Sequence, residues 1–415
     1  MPVNILVLTS AYPKFDGDAT APFMASITEH VAARGHTMHV VLPEHAEWAR
    51  PPVEGNVHYH PYRYSPSRSW TPWGYAQSLE GGVKLKRRLY GLAPAVFVSA
   101  RHACSRLAAR ERFDVVHAHW VVPNGFIAAG VSDRRGIPLV VTLHGSDISL
   151  AERKPWLGRL ARRTFARTRV VTAPSDDLLR RASRLGATGR VELIPWGADP
   201  GVFRPDADGA ERVRRLHDVA ENDVLVLGVG RFVRWKGFDD LVASVARARG
   251  EVPSLKLVLV GDGDLRGELE AQVADLGIAD VVSFAGMAVR DDVNAYLSAA
   301  DIVAVPSVHA DGFVDGQPTV ALEAMAAAKP LVVTRVGGLP DLVRTGENGL
   351  VVEERDPDAL VGAIVSLARD TNRRTAMGAA GRARVERELN WDTVADRLIR
   401  VYESASARSV FEGSR

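Results

Sequence analysis

Short apolar runs separated by helix-length stretches recur along this chain, and the series is run through twice. The first series has strand-like runs at residues 3–9, 39–42, 115–117, 139–142, 170–173 and 191–194, with a helix pattern at 23–34 stopped by Gly35 and another capped by Ser175. The second restarts at 223–229 and continues at 255–260, 281–284, 302–305 and 331–334, with helix patterns at 238–249, 265–276 and 293–299 between them. Strands that are apolar throughout must be covered on both faces, and intervening helices supply the cover. The pattern predicts an α/β protein of two doubly wound parallel-sheet domains in tandem. Proline, glycine and aspartate cluster at 195–208, which places the boundary there. We read residues 1–197 as the first domain, 198–385 as the second, and 386–415 as a terminal helix returning to the first, with Trp391 as its anchor. In such sheets ligands bind beyond the carboxyl ends of the strands, so candidate residues are sought there.

The balance of charge is uneven. Residues 1–205 hold 27 lysines and arginines against 16 acids, a net +11, whereas the remainder holds 25 against 34, a net −9. Either the first half meets an anionic partner or its arginine-rich helices are solvated faces. No apolar run approaches the ~20 residues that span a bilayer, and the opening run is too short for a signal peptide. The expectation is a cytoplasmic protein, at most peripheral on the inner face of the membrane. The sole cysteine, Cys104, excludes an intrachain disulfide and reads as a small buried residue.

The segment from Asp301 to Asp341 carries the richest chemistry. An apolar run ends at Pro306, a loop of acids and glycines follows, and Pro318 opens a helix pattern reaching Ala328. A helix N-terminus offers unpaired N–H groups and the positive end of the dipole, which suits an anion. Asp315 and Glu323 flank this opening, the first on the loop and the second about two turns into the helix. Paired carboxylates also suit a glycosidase, but a helix N-terminus favours ionised carboxylates over a protonated acid. Acceptance of hydrogen bonds from sugar hydroxyls fits the position better.

Four further groups lie at strand ends. Arg231 and Lys236, in GVGRFVRWKGFDDLV, face a helix N-terminus whose dipole opposes cations. Their balance is either a bound diphosphate or an internal bridge to Asp239 and Asp240; Gly228 and Gly230 allow close backbone approach and favour the phosphate. The turn Gly261-Asp262-Gly263 lacks the third glycine of a dinucleotide fingerprint, which disfavours nicotinamide binding. His144, in TLHGSD, is placed to hydrogen-bond a substrate hydroxyl, to move a proton, or to satisfy its own turn. His117 and His119 without a nearby third ligand argue against a metal site. Finally, residues 63–92 interleave Trp70, Trp73, Tyr75 and Tyr90 with Lys84, Lys86, Arg87 and Arg88, which either rest on an anionic membrane or pack a helix with a basic outer face.

Taken in order, YPKFDGDATAPFMASITEHVAARGHTMHVV, VVHAHW, VVTLHGSDI, ELIPWGADPGVF, GVGRFVRWKGFDDLV, LVGDGDL, VSFAGMAV, DIVAVPS and the run from Asp315 through EAMAAAKPLVVTRVGGLPD cover nearly the whole chain. Together they resemble the retaining glycosyltransferases of family 4, which have the GT-B fold of two Rossmann-like domains facing across a cleft. The resemblance implies that Gly230, Arg231 and Lys236 hold a donor diphosphate and that Glu323 binds the ribose. It also implies that Gly316, Gln317, Pro318 and Thr319 contact the hexose and phosphate, and that Gly286 and Met287 meet the nucleobase. His144 and Asp315 would be the catalytic pair, and Gly17 and Asp18 an acceptor or phosphate loop. The implied reaction is metal-independent transfer of a hexose, with retention, from a nucleotide-diphosphate sugar to a glycan or lipid-linked acceptor. No cofactor beyond that co-substrate and no nucleic acid are implied, and membrane contact falls to the basic first half. Three positions depart from the family pattern: Asp315 stands where glutamate is usual, residues 16–20 replace a Gly-Gly loop, and Trp196 replaces the asparagine of Pro-Asn-Gly. These departures keep a second reading open, a catalytically impaired nucleotide-sugar-binding protein, beside an epimerase or phosphorylase of the same fold.

Overall fold

A computed structural model describes residues 2–18, 20–74, 79–80, 84–85, 91–288 and 290–407. The chain divides into two compact units, Met1–Pro195 with Val394–Arg415, and Trp196–Thr393. The first is built on strands β1 (Asn4–Leu8), β2 (Thr37–Pro43), β3 (Val53–Glu54), β4 (Val57–Tyr62), β5 (Leu79–Glu80), β6 (Lys84–Leu85), β7 (Val115–His119), β8 (Leu139–Thr142), β9 (Val170–Ala173) and β10 (Arg190–Leu193). Eight of these form one sheet in the order β10-β9-β8-β7-β1-β2-β4-β3, parallel except for β3, while β5 and β6 pair separately. Helices α1 (Pro22–Ala33), α2 (Ala93–Arg110), α3 (Phe126–Arg135), α4 (Ser146–Arg153), α5 (Pro155–Phe165) and α6 (Asp176–Arg184) connect the strands.

The second unit contains α7 (Ala207–Leu216), α8 (Phe238–Ala248), α9 (Arg266–Asp275), α10 (Arg290–Ala299), α11 (Thr319–Ala326), α12 (Leu339–Leu342), α13 (Pro357–Ala368) and α14 (Thr371–Glu388). Its strands are β11 (Val224–Val229), β12 (Leu255–Val260), β13 (Val282–Gly286), β14 (Ile302–Val305), β15 (Leu331–Thr334) and β16 (Gly349–Val352), all parallel in the order β13-β12-β11-β14-β15-β16. Both sheets are doubly wound, as the uninterrupted apolar runs require. The order reverses direction between β1 and β7 in the first and between β11 and β14 in the second. Those reversals open the crevices in which this architecture binds ligands.

Apolar burial follows the sequence runs: β1, β7, β8, β9, β14 and β15 are buried almost throughout. Ser175 caps α6 by accepting from Leu178 N–H at 3.4 Å. Cys104 is fully buried, and burial pushes its thiol up to about 12, so it packs and does not react. The terminal helix α15 (Trp391–Ser406) starts after a break at residues 389–390, where Asn390 Oδ1 accepts from Thr393 N–H. Trp391 falls within the second unit, and the helix is fixed in the first by Tyr402 instead. The Tyr402 hydroxyl lies 2.8 Å from His117 Nδ1, His117 Nε2 lies 2.7 Å from Thr142 Oγ1, and all three residues are buried. Tyr402→Phe should strand the imidazole nitrogen and cost about 1–3 kcal/mol, read as a lower urea midpoint; an unchanged midpoint would show that this bond does not hold the helix.

Candidate functional site

In the second unit the β11/β14 crevice is walled by the segments following those strands. Gly230 directly follows β11 and precedes Arg231; a tight turn at Arg234–Lys236 then leads through Gly237 into α8. Gly237 has φ +64°, and a Cβ there would lie 2.0 Å from the Pro306 carbonyl oxygen, so glycine lets this loop touch the segment after β14. Opposite, Gly337 at φ +55° has no room for a Cβ, which would meet the Asp315 carbonyl oxygen at 1.7 Å. Trp235 knits the two loops: it lies beneath the Arg231 guanidinium at 5.9 Å, against Phe313 at 5.3 Å, and its carbonyl accepts from Val308 N–H at 2.9 Å.

This packing brings Lys236 onto Asp315. Lys236 Nζ lies 3.0 Å from Asp315 Oδ2, both side chains only 14% exposed. Ser307 Oγ donates to the same oxygen at 2.6 Å. Sequence reasoning offered Lys236 a diphosphate or Asp239 and Asp240; the structure gives it Asp315, a partner 79 residues away that only the tertiary fold reveals. Ser307 was missed for the same reason, although it stands directly after the strand-ending Pro306. Pro318 is the N-cap of α11, not its first residue, so Glu323 is the fifth residue of the helix, a little over one turn in instead of two. Gly316 and Thr319 are half-buried, as is Glu323. Gln317 is buried, and its Oε1 accepts from Trp196 N–H at 2.7 Å, tying the loop to the start of the unit. Gly286 closes β13 with φ +74°, and Met287 beside it is 82% exposed. Met287, Ala285, Tyr296, Val213 and Leu216 line an open cleft of about 550 Å³ that does not include Arg231, Lys236 or Asp315.

In the first unit the β1/β7 crevice is bordered by the loop after β1 and the turn after β7. Asp18 does not project from that loop as a free ligand. Burial works against its charge, but the N–H groups of Lys14 at 2.9 Å and Thr20 at 3.0 Å hold its carboxyl below the usual range. Gly17 supplies the turn with φ +85°. Across the crevice, His119 ends β7 and lies with Nδ1 3.0 Å from His144 Nε2. The His144 ring stacks on Trp120 at 4.0 Å and 19° and rests near Phe23. Beneath them Asp147, fully buried, ties the two strand-end turns together. Its Oδ1 accepts from His144 and Gly145 N–H at 3.2 and 3.0 Å, and its Oδ2 from Val121 N–H at 2.8 Å. Burial pushes His144 down to about 3 and His119 well below the usual range, so both rings are neutral near pH 7. His144 therefore meets a substrate as a neutral ring near pH 7.

Among the described residues no group of three His, Cys, Asp or Glu side chains is arranged to hold a metal ion, and no helix is long and apolar enough to cross a membrane. In the aromatic and basic stretch, Trp70 is 46% exposed, while Trp73 packs on the core and donates its backbone N–H to the Tyr64 hydroxyl. Tyr75, Lys86, Arg87, Arg88 and Tyr90 lie outside the described residues, and only the backbone of Lys84 is placed.

Two parallel-sheet units, each with polar side chains gathered at its topological switch point, are the architecture of the GT-B fold. The family model described as Glycosyltransferase Family 4 matches residues 21–202, and that described as Glycosyl transferases group 1 matches residues 210–384. A GDP-mannose-dependent alpha-(1-6)-phosphatidylinositol monomannoside mannosyltransferase of Mycobacterium tuberculosis is 32% identical over 71% of this chain and 76% of its own. A D-inositol 3-phosphate glycosyltransferase of Acidothermus cellulolyticus is 34% identical over 71% of this chain and 68% of its own. Among solved structures, sucrose-phosphate synthase from Thermosynechococcus elongatus superposes with TM-score 0.76 at 21% identity, covering 97% of this chain and 98% of that one. Anabaena Alr3699/HepE in complex with UDP-glucose superposes with TM-score 0.71 at 21% identity, covering 97% and 100%; these two likenesses concern the fold. The chain belongs to glycosyltransferase family 4 and is a hexosyltransferase.

Proposed function

We propose that this enzyme transfers a hexose, with retention and without a metal ion, from a nucleotide-diphosphate sugar to a lipid-linked or glycan acceptor. The observation that carries the reading is the cationic pair Arg231 and Lys236, set at the β11/β14 switch point beside the N-terminus of α11. A leaving diphosphate gathers charge as the glycosidic bond breaks, and fixed cations with a helix dipole stabilise that charge where other folds use a metal. In this reading Glu323 accepts hydrogen bonds from the ribose hydroxyls, and Gly286 and Met287 flank the base. Asp315, with Gly316, Gln317, Pro318 and Thr319, attends the hexose, and His144 donates a hydrogen bond to it. The leaving phosphate takes the acceptor's proton on the same face of the sugar. Relatives whose names specify GDP-mannose and inositol-containing acceptors make these the first substrates to try, with UDP-sugars beside them.

The test is release of nucleoside diphosphate from GDP-mannose and UDP-hexoses with inositol phosphate, phosphatidylinositol and glycan acceptors, in buffer containing EDTA. Acceptor-dependent release that survives the chelator, with an α-linked product from an α-linked donor, is the expected result. Loss of activity with EDTA that returns with magnesium would overturn metal independence, and a β-linked product would overturn retention. The Lys236–Asp315 contact favours one competing reading, a donor-binding protein without turnover; donor binding with no release that Asp315→Glu fails to rescue would select it.

A further inference from the structure

The pair His119 and His144 holds more information than a contact. Both rings are neutral, so each carries one proton, and the 3.0 Å bond between His119 Nδ1 and His144 Nε2 uses one of the two. Two assignments satisfy it. If His144 Nε2–H donates, His119 must carry its own proton on Nε2. That atom is buried, and among the described residues no hydrogen-bond partner reaches it. If His119 Nδ1–H donates, Nε2 is a bare ring nitrogen and the buried unpaired group is an acceptor. Orphaned buried N–H donors are the rarer and costlier state, so the second assignment wins. The surroundings hold His119 rigidly enough for the choice to matter: its carbonyl accepts from Asn124 Nδ2 at 2.9 Å, its ring lies 4.2 Å from that of His117, and none of its surface is exposed. His117 cannot relieve Nε2, because its own two nitrogens are engaged by Tyr402 and Thr142.

We infer that His119 is a positioning residue that fixes His144 as its Nδ1–H tautomer, so that His144 meets its substrate as a neutral hydrogen-bond donor and not as a base. The inference deepens the proposed function, since it rests on His144 acting on the hexose, but the tautomer itself is independent of that reading. Trp120 and Phe23 orient the plane of the ring, Asp147 fixes its backbone, and His119 decides which nitrogen bears hydrogen. A neutral donor suits a sugar oxygen that stays unprotonated through the transfer, and it leaves proton removal from the acceptor to the leaving phosphate.

The experiment is long-range ¹H–¹⁵N correlation on the full-length protein labelled at histidine, with His144→Gln and His119→Asn used to assign the two rings. In the wild type both rings should show the Nδ1–H pattern at pH 7.5. His119→Leu should release His144 to the Nε2–H tautomer and lower kcat/KM for donor about tenfold or more, the scale of one misdirected hydrogen bond. His119→Asn, whose side-chain N–H replaces the Nδ1–H donor, should keep the His144 tautomer and recover most of the activity. An Nε2–H pattern for His144 in the wild type, or an unchanged pattern in His119→Leu, overturns the inference. A tautomer that shifts as stated while kcat/KM stays constant leaves the tautomer assignment standing and defeats the placement of His144 at the hexose.

Discussion

Lys236→Ala should weaken binding of a nucleoside diphosphate by one to two orders of magnitude, whereas Asp315→Asn should strengthen it severalfold. Both expectations follow from one contact. Lys236 Nζ is 3.0 Å from Asp315 Oδ2, so an arriving diphosphate competes with a carboxylate already in place. Removing the ammonium deletes a charge-assisted hydrogen bond worth about 1.5–3 kcal/mol, and 1.4 kcal/mol is a factor of ten. Neutralising Asp315 removes the competitor and its repulsion of the phosphates, while Ser307 Oγ keeps a side-chain oxygen to bond to. Because Asp315 also attends the hexose in the proposed reaction, its asparagine variant should turn over more slowly despite binding product better. Isothermal titration of GDP and UDP into the three proteins distinguishes the cases. Equal affinity for wild type and Lys236→Ala would remove Lys236 from the phosphate site, and weaker binding by Asp315→Asn would show the contact to be structural support and not competition.

That contact also marks where sequence reasoning stops. Strands at 139–142, 170–173, 255–260 and 331–334 were legible to the residue, because buried parallel strands are apolar throughout and end in polar turns. Strand β4 was not, since VHYHPY mixes three polar or imino residues with aromatics and reads neither as an apolar run nor as a clean alternation. Helix α7 was hidden by Asp206 and Asp208, which look like linker residues; Asp206 in fact caps the helix by accepting from Gly209 N–H at 3.0 Å. For the site, the residue types at strand ends were visible, but their partners were not. Asp147 sits inside the same TLHGSD motif as His144, and three residues' spacing gives no hint that it reaches Val121 on the neighbouring turn. The signal available was the aspartate shortly after a strand-ending turn, a common way to bind free N–H groups. His119 and Ser307 required knowing which strands are adjacent, and adjacency in a doubly wound sheet depends on crossover order that periodicity does not encode.

Acidification from pH 7 to pH 5 should destabilise the first unit by about 4 kcal/mol through two buried imidazoles alone. His117 is fully buried and burial pushes it down to about 3; His39, 3% exposed, is pushed to about 4 by burial and then by His58 and His60. In the unfolded chain both return to about 6.5. A folded value below the unfolded one means that the stabilisation is complete above about 6.5 and is lost as pH falls towards the folded value. At pH 5 the unfolded state has gained protons that the folded state refuses, at about 2 kcal/mol for each ring. Groups around the rings modify the total without reversing it. Glu111 Oε2 lies 3.2 Å from His39 Nε2 and would welcome a proton there, while burial raises Asp147 and makes its protonation work in the opposite direction. His39 stacks on His58 at 4.6 Å and meets Phe113 edge-on at 5.1 Å, so a phenyl ring keeps these aromatic contacts without a titrating nitrogen, while giving up the 3.1 Å bond of His39 Nδ1 to His60 Nε2 and the Glu111 contact. His39→Phe should therefore flatten the dependence by about 2 kcal/mol between pH 7 and pH 5, as followed by urea midpoints of the full chain. Identical midpoints at the two pH values in the wild type would mean that these rings accept protons without unfolding, and that the packing around His117 and His39 opens far more easily than their burial implies.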